Sequence, residues 1–461
     1  MLFSSNVFLF AYLPLVLLVY YLCPRWLRNP VLLLVSLIFY GWGEPVYLFL
    51  MIFTILLNYA CGAWIHGLQR KNKDARGVLV FSVAANLLLL GFFKYTAFLL
   101  RSLQALIPAL TAIKVPEISL PIGISFYIFQ SMSYVIDVYR QDAPVQKNPL
   151  TFGTYVSLFP QLIAGPIVRY QDVAEQMDHR KENLSDFASG VLLFTVGLAK
   201  KVLLANPMGN LWNLLLAQQG TLVSWVGLGA YALQIYFDFS GYSDMARGLG
   251  RMVGFEFLEN FNYPYISRSI TEFWRRWHIS LSTWFREYVY IPLGGNRRGL
   301  KRQILNLLIV WLLTGFWHGA SWNFVLWGLY YALWLIAEKI FLLKLLDKLP
   351  GTLRHLYALA IVLLGWALFY FEDMTALAAF LARLFTLVPN TQAGLNLISG
   401  HLSLLLVAGF AATPTGKGLM ARYGQQPVLR YGRIAAAGAA LLLCVAALAS
   451  QSYNPFIYFR F

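Results

Sequence analysis

The sequence predicts an all-α, polytopic membrane protein, and three observations predict it. Of 461 residues, 59% are hydrophobic and only 12% are charged, about half the charge of a typical soluble domain, and the mean hydropathy is +0.60. Apolar windows close to the roughly 18–20 residues that span a bilayer recur along the whole chain. The 36 Lys and Arg outnumber the 20 Asp and Glu, for a net charge of +16. These basic residues gather in short loops between apolar runs, which is the positive-inside pattern. Such loops set topology and attract anionic lipid headgroups or a phosphorylated cosubstrate; no nucleic-acid partner is expected.

The elements follow in order. The first apolar run, 7–23, has no basic residue before it and Arg25 and Arg28 after it. That argues against a cleaved signal peptide and for a retained helix with its N-terminus outside. A second run, 31–41, meets Gly-Trp-Gly-Glu-Pro at 41–45, which should break it. Further helices are expected at 46–66, 78–103, 120–138, 152–167 and 186–206, and the charged loop from Arg70 to Arg76 marks the cytoplasmic side. The run 221–246 begins apolar and ends FDFSGYSDMARG, too polar to face lipid, so it should line protein or water. Residues 255–303 hold eight basic residues, from Arg268 to Arg302, interleaved with aromatics such as Trp274, Trp277 and Trp284. They read as interfacial or re-entrant helices. Runs at 304–316 and 319–341 are separated by Trp317-His318-Gly319, and 355–372, 374–388, 395–412 and 434–451 complete the series. Arg422, Arg430 and Arg433 precede the last run and place the C-terminus outside. No repeat or linker divides the chain, so 1–461 reads as one transmembrane domain.

Most catalytic patterns are missing. Cys23, Cys61 and Cys444 form no CxxC pair, which argues against disulfides, zinc ribbons or a cysteine thioester. There is no HExxH or P-loop, and neither GISFY nor GYSDM is a GxSxG elbow; no metal is expected. His66, His179 and His355 sit beside charged loops, and His401 has no companion motif. His318 differs, because it stands in an apolar stretch with no charge before Glu338. An ionisable group there is costly and points to function, against the plainer reading of a neutral imidazole in an interhelical hydrogen bond. Gly315 and Gly319 flank it at a spacing that lets another backbone or a ligand approach. Trp317 adds a flat apolar wall and Asn323 a polar group. His278, beside Arg275 and Arg276, should be held neutral by nearby positive charge. What remains is a histidine acting as general base on a hydroxyl acceptor.

Five blocks carry a family resemblance: PIGISFYIFQSMSYVIDVYR (121–140), LFPQLIAGPIVRY (158–170), FDFSGYSDMARGLGRMVGFEF (237–257), the stretch 260–297 around WRRWHISLSTW, and LLTGFWHGASWNFVLWG (312–328). In this order they resemble the membrane-bound O-acyltransferases, above all the branch that includes alginate, peptidoglycan and cellulose acetylation proteins and the teichoic acid D-alanylation protein. The resemblance implies a ring of about 10–12 transmembrane helices around a central funnel. It implies His318 as the hallmark catalytic histidine and His278 as its upstream partner. The donor would be cytoplasmic acetyl-CoA, with no permanently bound cofactor, and Arg275, Arg276 and Arg286 with Trp317 and Asn323 are expected to bind it. The ending FIYFRF resembles the C-terminal motif of a companion peptide of D-alanylation, which makes Tyr458 a candidate acyl carrier; an aromatic anchor is the plainer reading. An extracytoplasmic SGNH-type acetyltransferase partner, a polysaccharide acceptor and the bacterial inner membrane complete the expectation. D-alanyl transfer and a non-enzymatic transporter are the alternatives.

Overall fold

The computed structural model describes residues 1–163, 165–423, 427–450 and 457, apart from the side chains of 420, 421 and 423–430. Tyr458 lies outside the described residues. Those residues form helices and turns, with no strand. Five helices are long and apolar enough to cross a membrane: Tyr47–Arg70, Arg76–Leu106, Leu184–Leu216, Gly351–Tyr370 and Tyr431–Ser450. Gln392–Gly400 and Leu402–Ala411 together make a sixth candidate, bent by 55°. Other expected spans are interrupted or carry a polar face, so length and hydropathy alone do not register them. Gly41 does end the second helix, and the next begins at Tyr47. The run 152–167 splits into Pro149–Ser157 and Phe159–Leu162, where Pro160 withholds an N–H from a continuous helix.

Two compact units emerge: Met1–Phe194 with Met245–Leu258, and Thr195–Asp244 with Glu259–Phe461. In the first, Arg28 is more than a topology marker. It lies 2.6 Å from Glu182, which also accepts from the Tyr20 hydroxyl at 2.6 Å. Burial would raise the Glu182 carboxyl, but the bonds from Tyr20 and Arg28 hold it below the usual carboxylate range. Arg180 donates to the Tyr20 oxygen at 2.9 Å and stacks 4.8 Å over the Phe255 ring.

The second unit holds the candidate chemistry. Its core is aromatic, with Trp212, Trp327, Trp366 and Tyr331 almost wholly buried. The helices Gly299–His318 and Trp322–Ala337 cross at glycines. A Cβ on Gly315 would lie 2.3 Å from the Phe324 carbonyl oxygen, and one on Gly328 would lie 2.3 Å from that of Trp311. The approach expected of Gly315 is therefore made by the following helix, and it fixes the turn that carries His318. The basic aromatic stretch folds as Ile270–Arg276, Ile279–Phe285 and a π turn, Arg286–Tyr290. Its aromatics Phe273, Trp274 and Trp277 belong to the aromatic core of this unit, and Phe285 is buried as well.

Candidate active site

His318 is the last residue of its helix, and Gly319 follows in extended backbone. The carbonyl end of a helix favours positive charge, which is what an imidazole acquires when it takes a proton. The ring is 5% exposed and is walled by Trp317 at 5.0 Å, Trp327 at 4.9 Å and Phe369 at 5.4 Å between centroids.

His278 sits between two short helices in a left-handed conformation, φ 45° and ψ 56°. That costs a non-glycine residue about 1–2 kcal/mol, so the neighbours must hold it. Asn260 does much of this. Its Oδ1 lies 3.2 Å from His278 Nδ1 and accepts from both the N–H and the hydroxyl of Ser280 at 3.0 Å. An acceptor there selects the Nδ1–H tautomer and leaves the ring's lone pair on Nε2. Phe239 packs edge-on at 4.7 Å. His278 lies outside the spanning helices, and burial pushes its imidazole below the ordinary histidine range. The neutral form expected from neighbouring arginines thus has burial as its cause.

The two histidines share one wall. The Trp317 ring is 5.0 Å from His318 and 5.9 Å from His278. Beside His278 opens a cavity of about 220 Å³, lined by Trp274, Arg275, Ser282, Arg286, Tyr290 and Trp311 among others. Arg275, Arg286 and His278 therefore meet at one cavity, whereas His318, Trp317 and Asn323 are absent from its lining. Arg276 is engaged elsewhere, 2.9 Å from Glu272 and 3.1 Å from the Asn262 carbonyl. Asn323 donates to the Phe369 carbonyl at 3.2 Å near the end of the helix Gly351–Tyr370, so it ties two helices together. Among the described residues, no group of His, Cys, Asp and Glu could hold a metal ion.

Three features escaped the sequence reading. Asn260 carries no motif that marks it. Glu338 is buried and accepts from the N–H of Ile270 at 2.6 Å, and from the N–H and hydroxyl of Thr271 at 2.8 and 2.6 Å. It thereby caps the helix that leads to His278. The third is a buried ion pair between Lys201 and Asp238.

Comparison with known proteins shows what the chain is similar to. The sequence profile of the MBOAT, membrane-bound O-acyltransferase, family matches residues 94–345. A "Probable alginate O-acetylase" of Azotobacter vinelandii is 41% identical over the whole of both chains. A "Peptidoglycan O-acetyltransferase" of Helicobacter pylori is 36% identical, covering 81% of this chain and 78% of that one. A "Teichoic acid D-alanyltransferase" of Bacillus subtilis is 29% identical over 48% of this chain and 59% of its own.

Proposed function

This chain belongs to the membrane-bound O-acyltransferase family, and from that premise we propose that it moves acetyl groups from cytoplasmic acetyl-CoA to an extracytoplasmic polysaccharide. It is a multi-pass membrane acyltransferase. Relatives matched over most of their length carry names of O-acetyl transfer, while the D-alanyl relative matches about half of the chain, so acetyl is the acyl group favoured. The observation that carries the reading is the Trp317 indole held between two buried imidazoles, one of which, His278, lines a cavity bearing Arg275 and Arg286.

In the proposed reaction, Arg275 and Arg286 take donor phosphates and the pantetheine arm enters toward the histidines. His318 accepts the proton of the acceptor hydroxyl as its oxygen attacks the thioester carbonyl. A C–O bond forms and the C–S bond breaks. The coenzyme A sulfur leaves and recovers a proton from the imidazolium. His278, oriented by Asn260, offers its Nε2 lone pair to an N–H or O–H of the donor or acceptor and so helps to orient it. The acceptor is Tyr458, whose ester is passed to a serine of an SGNH-type partner outside an inner membrane, with both chain termini on that side. Coenzyme A is highly charged and an acetyl ester is not, so a tyrosine relay moves only the group that crosses cheaply.

Mass spectrometry of the C-terminal peptide after incubation of the purified full chain with acetyl-CoA tests this. The expected result is a single acetyl ester on Tyr458, absent from Tyr458→Phe. Acetyl-CoA turnover with an unmodified tail would overturn the relay, and no turnover at all would overturn acetyl-CoA as donor.

A further inference from the structure

The reaction above leaves two lysine–aspartate pairs unused. On the helix Thr221–Met252, Asp238, Gly241 and Asp244 follow at three-residue steps and share a face. Against that face lies the π segment Lys200–Ala205, just before Pro207. The approach is close: a Cβ on Gly241 would stand 2.7 Å from the Gly197 carbonyl oxygen and 3.1 Å from Lys200 Cβ. Lys201 Nζ is 2.5 Å from Asp238 Oδ1, with both side chains 3% exposed. Lys200 Nζ is 2.6 Å from Asp244 Oδ2, in a more open position.

A fully buried ion pair adds little net stability, since desolvation offsets its attraction. π turns are rare and recur at functional sites. Both features therefore call for a use. Asp238 has a second partner: the backbone N–H of Ile457 donates to its Oδ2 at 2.8 Å. Ile457 also packs against the aromatic core of the same unit, and the helix Pro427–Ser450 that leads to it packs on the π segment. One carboxylate oxygen thus holds the lysine, and the other holds the chain one residue before Tyr458.

We infer that the Lys201–Asp238 pair is a built receptor for this chain's own C-terminal tail, with Asp238 as the positioning residue that sets the tail's register and so presents Tyr458 for acylation. This rests on the reading of Tyr458 as the acceptor. Lys201 orients the carboxylate and balances its charge, so that the second oxygen can accept a main-chain donor in a buried place. Because the bond is to backbone, register is fixed independently of the side chain at 457.

Hydrogen–deuterium exchange of the peptide 452–461 in the purified full chain, with acyl labelling measured in parallel, tests the inference. Asp238→Asn removes the charged acceptor. Ile457→Pro removes the donor together with the isoleucine side chain, whose share Ile457→Leu controls for, and leaves the ion pair intact, which keeps the test valid should the first variant fail to fold. Losing a charge-assisted hydrogen bond should speed tail exchange about tenfold or more. Labelling of Tyr458 should fall in proportion, with the KM for acetyl-CoA unchanged, and Ile457→Leu should match wild type. Unchanged exchange in Ile457→Pro would overturn the docking. Faster exchange with undiminished labelling would overturn the positioning role. Persistent labelling of Tyr458→Phe would instead defeat the acceptor reading, and the exchange data would still decide the docking.

Discussion

At the residue scale, the site depends on how a few polar atoms hold two imidazoles among aromatic rings. Asn260 is the smallest such device: one oxygen serves His278 Nδ1 and both donors of Ser280. Asn260→Ala would leave the buried Ser280 N–H without that acceptor and release the His278 tautomer, at a cost of about 1–3 kcal/mol. The expected result is a fall of about tenfold or more in kcat for acetyl transfer, with a smaller change in KM, read by steady-state kinetics. Asn260→Asp separates orientation from mere packing. A carboxylate against Nδ1–H favours the imidazolium, so the acid limb of the pH–rate profile should move to higher pH. His318 stood out in the chain because an ionisable group in an apolar run is costly, whereas His278, beside two arginines, was marked only by the family resemblance. Asn260 was not, because an asparagine in a loop looks alike whether it holds a catalytic ring or faces water.

At the element scale, three short pieces replace what would otherwise be one more span. The helix Ile270–Arg276 is capped by Glu338 from a distant part of the chain, and its register sets Trp274, Arg275 and His278 together. Glu338→Ala would leave the buried donors of Ile270 and Thr271 unmet and should lower the thermal midpoint of the purified protein by several degrees. Activity should fall more than stability, since the same cap aims the segment that carries His278; fluorescence-detected size-exclusion after heating reads the first and acetyl-CoA turnover the second. Interior breaks were the least legible feature. The run 152–167 looked continuous because hydropathy averages over Pro160, and 186–206 was cut short because the π turn at Lys200–Ala205 lets the helix continue past Pro207 to Leu216. The polar end of 221–246 was read as lining protein or water, and Asp238, Ser240 and Ser243 are buried, but its partners, Lys200 and Lys201, could not be named: an ion pair spanning some forty residues leaves no local trace.

At the scale of the whole molecule, composition settled the solvent, since 12% charge cannot clothe a soluble protein of this size, and the recurring apolar windows settled the fold class. The site was half legible. His278, Arg275 and Arg286 do meet at one cavity, while Arg276 and Asn323 serve contacts between neighbouring segments. Those two looked suited to ligand binding because sequence reports residue type and spacing, and a guanidinium or amide satisfies a helix carbonyl as readily as a phosphate. The most direct measurement of the central claim is acetyl transfer from labelled acetyl-CoA by the purified full chain, wild type against His318→Ala, with folding of both checked by gel filtration. The account predicts a loss of about a hundredfold or more in a variant that still folds and still binds acetyl-CoA. Transfer at the wild-type rate by folded His318→Ala would contradict it.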